Sequence, residues 1–145
     1  MHNPAIDLAA EWLNRASHDL RVARYLYTMP DVPPETLGFH AQQCAEKALK
    51  SFLTLHQVPF QRRHDLNYLI DLCLPFDGDF TQFRAGADEL TPYAVEFRYP
   101  DAVATISSKH AQTTVEIAER IYTFVSKRMK SARDSLSCEE SMEET

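Results

Sequence analysis

The prolines decide what this chain can fold into. They cluster at "MPDVPPET" (residues 29–36) and recur at Pro59, Pro75, Pro92 and Pro100. A proline has no N–H and a fixed φ, so a helix stops or kinks there. Between the breaks the apolar residues return at helical steps. From Asp7 to Thr28, residues Trp12, Leu13, Ala16, Leu20, Ala23, Leu26 and Tyr27 make one amphipathic stripe. Thr36 is placed to cap a second helix running to about His56, and Asp65 to cap a short third helix that stops near "PFDGD". Phe80, Phe83, Ala87, Leu90, Ala94 and Phe97 step 3-4-3-4-3, with Pro92 expected to kink or split that fourth element. A last helix from about Ala102 to Lys130 sets Val115, Ala118, Tyr122, Val125 and Met129 on one face. With only three glycines in 145 residues, a turn-rich β fold is disfavoured. The expectation is an all-α, up-down antiparallel four-helix bundle with a short additional helix.

The length suits one domain with one core. The net charge of −6 is uneven, because residues 131–145 carry −4 and the remaining 130 residues only −2. "SARDSLSCEESMEET" has too few large apolar groups to offset its ordering entropy, so 1–130 is expected to be the bundle and 131–145 a disordered acidic tail. Cys44, Cys73 and Cys138 are odd in number and form no CxxC pair, which fits a reducing cytoplasm and no zinc site. Neither a leader-like start nor an apolar run of membrane-spanning length is present, so no membrane is expected.

The second helix carries the functional question. In "FHAQQCAEKALKSFL", one half collects Ala41, Cys44, Ala45, Ala48, Leu49, Phe52 and Leu55, and faces a core. The other half collects His40, Gln42, Gln43, Glu46, Lys47 and Lys50. Periodicity alone allows two readings of that file. It is either a solvated face with Glu46 paired to Lys50 at i,i+4, or a polar cleft wall offering imidazole, amide and ammonium donors to an anionic or purine-bearing ligand.

These residues resemble the HEPN (higher eukaryote and prokaryote nucleotide-binding) family. Trp12, Ala16, Asp19, Leu20 and Ala23 are similar to its first-helix pattern, "FHAQQCAEKALKSFL" to its second-helix signature, "RHDLNYLI" to its third-helix entry, and Tyr93 with "RYPD" to its fourth-helix end. The resemblance runs from about Trp12 to Val125. It implies a four-helix bundle, commonly dimeric, often encoded beside a small separate nucleotidyltransferase. Many members are metal-independent ribonucleases using a closely spaced Arg and His. This chain departs there: no arginine has a histidine five to seven positions after it, and from Arg98 the next histidine, His110, lies twelve positions on.

The candidate ligand-binding residues are therefore His40, Gln43, Lys47, Arg63, His64, Arg98 and Tyr99, with no catalytic residue, cofactor or metal expected. Arg62, Arg63 and His64 can hold phosphate before a helix, or "HD" can be a cap with its neighbour. Arg98-Tyr99 can supply a guanidinium and a stacking ring, or a buried ion pair with Asp19 or Asp101. Asp19 needs a cationic partner such as Arg98 or Lys47. His18, His56 and His110 lack a spaced ligand cluster, and Cys44 reads as packing. The first expectation is a nucleotide-binding module, a homodimer, that works with a nucleotidyltransferase partner in a toxin-antitoxin-like pair. The alternatives are a ribonuclease in which Arg98 meets His64 or His110, and a helical adaptor whose polar file contacts only protein.

Overall fold

A computed structural model describes residues 3–95 and 108–143. Its helices are α1 (Pro4–Tyr27), α2 (Pro34–Leu55), α3 (Leu66–Cys73), a 3-10 turn (Gly78–Phe83), α4 (Arg84–Leu90), α5 (Pro92–Val95) and α6 (Ser108–Glu143), with no strand among the described residues. The all-α expectation holds.

Helix ends follow local chemistry. Asn3 caps α1, its side chain accepting from the Ala5 N–H at 3.0 Å, with Pro4 in the first turn. Thr36 does not cap α2. Pro33 stands at the cap without a side-chain bond and Pro34 opens the helix, since a proline ring already holds the φ that a first turn requires. The end of α2 closes with Gln57 at φ 56°, Gln57 N–H on Thr54 O and Val58 N–H on Leu53 O. Asp65 caps α3 as expected, accepting from the Asn67 N–H. Pro92 does split the fourth element, into α4 and α5. The expected acidic tail is instead helical as far as Glu143. Residues 131–143 contain neither Gly nor Pro, so a helix already nucleated in the bundle can propagate through them. Met129 is the last core residue that α6 contributes among those described.

The central helix is α2, which touches α1, α3, α4, α5 and α6. Its contact with α1 is the most extensive, and small residues permit it: Ala9, Ala16 and Ala23 of α1, and Ala41, Ala45 and Ala48 of α2, are all fully buried. At the other end an aromatic cluster ties α2 to the 3-10 turn and α6, with Phe52–Phe80 centroids 4.6 Å apart and Phe80–Phe124 4.9 Å apart. The third support is α5. The Tyr93 ring lies against Gly38 so closely that a Cβ there would sit 2.0 Å from Cδ1, so only glycine fits. No described helix is long and apolar enough to cross a membrane.

Candidate functional site

The polar file of α2 is two regions. In the inner one, Gln42, Glu46 and Lys50 are buried, at 0%, 3% and 9% exposure, which overturns the solvated-face reading for these three. Glu46 is the hub. One carboxylate oxygen accepts from Lys50 Nζ at 3.2 Å, while the other contacts His64 Nδ1 at 2.8 Å and Gln42 Nε2 at 3.3 Å. Gln42 also donates to the His64 carbonyl at 3.2 Å. The Lys50 ammonium lies 5.5 Å from the ring centres of both Trp12 and Phe60. Helix spacing explains the set: positions 42, 46 and 50 are successive i,i+4 neighbours on the flank where the chain entering α3 crosses. The Glu46–Lys50 pair inferred from spacing is present, but it is internal.

The outer region is Asp19, His40, Gln43 and Lys47. Asp19, 9% exposed on α1, places one oxygen 3.0 Å from His40 Nδ1 and the other 2.6 Å from Lys47 Nζ. The partner anticipated for Asp19 is therefore Lys47. Because a carboxylate only accepts, Nδ1 is the donor, and in the neutral ring the His40 Nε2 lone pair is left over. The His40 and Lys47 side chains are 27% and 24% exposed, so their unused edges are accessible. Gln43 donates to Gln42 Oε1 at 2.7 Å, with no hydrogen bond to Asp19, His40 or Lys47 among the described residues.

The remaining candidates separate from this face. Arg63 lies over the Tyr68 ring at 4.3 Å and 3.7 Å from Asp65, while His64, held through Nδ1 by Glu46 as His40 is by Asp19, is 49% exposed at the rim of the inner region. Arg98 and Tyr99 lie outside the described residues, so their convergence with His40 and Lys47 is not part of this geometry. Cys44 is buried with its thiol 3.9 Å from the Ala118 carbonyl, and burial, helped by the Asp19 charge, pushes its ionisation well above the ordinary range, as packing requires. No group of three or more His, Cys, Asp or Glu able to hold a metal occurs among the described residues.

Two features escape a reading of the sequence: the joining of His64 to Glu46, and the pocket of Trp12 and Phe60 around Lys50. Trp12 is visible as a stripe residue, but its contact with Lys50 depends on how α1 and the loop before α3 meet. Only the tertiary packing contains that information.

Comparison with known proteins adds the family context. The HEPN domain profile matches residues 9–135. The fold is similar to that of ST0689, an archaeal HEPN homologue, at 25% identity and TM-score 0.66 over 83% of this chain and 97% of that one. It is also similar to TT1696 from Thermus thermophilus, at 28% identity and TM-score 0.65 over 82% of this chain and 96% of that one. No curated protein matches the chain.

Proposed function

Because the chain belongs to the HEPN domain family, we propose that it is a binding module for a nucleotide or nucleotide-derived group. It acts with a small separate nucleotidyltransferase, as a homodimer, in a toxin-antitoxin-like pair. The observation that carries the binding reading is the outer region: Asp19 fixes His40 and Lys47 together, at 3.0 and 2.6 Å, while a quarter of each side chain stays exposed. A phosphate oxygen can take the remaining Lys47 N–H groups, and His40 Nε2 offers an acceptor for a base or sugar donor. Preorganisation lowers the ordering cost that a free lysine would bring to binding. The partner and the dimer rest on the family alone.

Titration calorimetry with ATP and with a short oligonucleotide tests this, on wild type and Lys47→Ala, at low and moderate salt. The variant should bind about tenfold more weakly, the scale of one charge-assisted hydrogen bond, with a shallower salt dependence. Equal affinities would remove the α1–α2 face as the ligand site, and no binding by wild type would leave a protein-contacting adaptor. RNA cleavage in metal-free buffer would instead establish the ribonuclease alternative.

A further inference from the structure

The opposite flank of α1 carries a separate groove, of about 430 Å³, against α6. Ser17, Arg21, Arg24 and Thr28 recur along it at helical steps, Tyr25 stands beside them, and Tyr122 forms the α6 wall over a floor of Leu20. Its volume lies in the range of about 300–1,000 Å³ that small-molecule sites occupy. The two arginines differ. Arg24 is tethered across the groove by the Glu119 carboxylate, through Nη2 alone. Arg21 has no ion-pair or hydrogen-bond partner among the described residues, so its whole guanidinium fork is available.

The other groups complement those cations. The Ser17 hydroxyl donates to the Asn14 carbonyl and the Thr28 hydroxyl to the Tyr25 carbonyl, both at 2.7 Å. With their protons committed, both hydroxyl oxygens serve a ligand as acceptors. The Tyr25 ring is 74% exposed, a free aromatic face one helical turn from Arg21. Glu119 disfavours an anion close to Arg24, so the negative group seats on Arg21 and the flat part of the ligand on Tyr25.

We infer that this groove binds phosphate esters of planar ring compounds, with Arg21 holding the phosphate and Tyr25 stacking on the ring. It is a different site from the Asp19–His40–Lys47 face, and it stands on different residues. Adenosine 5′-monophosphate, phenyl phosphate and adenosine, titrated in turn, separate nucleotide from simpler aromatic phosphate and from ring alone. Both phosphates should bind, and adenosine about tenfold or more weakly.

Arg21→Ala should weaken both phosphates by about tenfold, Tyr25→Ala should weaken the nucleotide by several-fold, and Lys47→Ala should leave the groove's affinity within about twofold. Both groove residues are exposed, so the thermal midpoints of the two variants should match wild type. Two separable binding events, one weakened by Arg21→Ala and not Lys47→Ala and the other by Lys47→Ala and not Arg21→Ala, support the groove beside the α1–α2 face, and an Arg21-dependent event alone supports the groove and removes that face. A Lys47-dependent event alone overturns the groove and leaves that face standing. No saturable binding of either phosphate, or wild-type affinity in Arg21→Ala, also overturns it.

Discussion

Glu46 and Asp19 hold the same chemistry in two settings. Each is a nearly buried carboxylate that meets one histidine and one lysine, Glu46 with His64 and Lys50, Asp19 with His40 and Lys47. Around Glu46 the lysine is capped by two aromatic rings and 11% exposed; around Asp19 the lysine is 24% exposed and keeps an edge in water. The difference teaches that a charged cluster becomes structural when its cation is also desolvated by apolar neighbours, and stays usable when the cation keeps a wet edge. The contrast can be broken by substitution at each hub in turn.

The largest effect is expected at the inner hub. Glu46→Ala strands the Lys50 ammonium beneath Trp12 and Phe60, and an unpaired buried charge costs about 3–5 kcal/mol, a large share of a small domain's stability. The thermal midpoint should drop steeply, and Glu46→Ala combined with Lys50→Met should recover much of the loss, since an apolar side chain of similar length needs no counter-ion. A midpoint near wild type in Glu46→Ala alone would make the inner region as wet as the outer one.

Asp19→Asn is the matching change outside, and its cost should be lower. Lys47 and His40 can turn to water when the charge goes, so the loss should be about 1–2 kcal/mol in chemical denaturation. Ligand binding at Lys47 should suffer too, because the ammonium loses its anchor. If Asp19→Asn destabilises as much as Glu46→Ala, the two regions are equivalent and the outer one is a latch.

The inner region was the harder of the two to foresee. The helical stripes, the Asp65 cap and the Pro92 split were legible because each depends on a few neighbouring residues. The Asp19–Lys47 pair was legible because a carboxylate near an apolar stripe needs a cation. Burial of Gln42, Glu46 and Lys50 was not, because six polar letters on one helix flank read as solvated until the loop carrying Phe60 and His64 is known to cross them. The helix beyond Lys130 was missed for another reason: composition predicts whether a segment can pack, and this one is helical without having to.

A pH profile sharpens the comparison further down in scale. Burial of the His56 ring, against Phe52 and Phe76, holds its proton affinity below the ordinary 6.5, and the Asp77 charge offsets part of that. The unfolded chain then takes up the proton first. The contribution of His56 to stability is full above about pH 6.5 and is lost as the pH falls from there through the folded-state value. His56→Gln should flatten that part of the profile, measured by denaturation midpoints from about pH 7.5 to 5. An unchanged slope would place the acid sensitivity in other groups.

The smallest effect concerns coupling between the regions. Gln43 hydrogen-bonds Gln42, and no described hydrogen bond carries on from it to Asp19, His40 or Lys47. The two hubs share no partner, so Asp19→Asn and Glu46→Gln should add in a double-mutant cycle to within about 0.5 kcal/mol, as independent sites do. The glutamine keeps an oxygen acceptor and the shape of the inner site, so the cycle reads coupling rather than collapse. Repeating it in a Gln43→Ala background should leave the cycle additive, because the Gln43 amide ends on Gln42 and bonds neither Asp19 nor its partners. A coupling well above about 0.5 kcal/mol that survives in Gln43→Ala would mean the helix backbone transmits between the regions, and the division into a closed and an open half would fail.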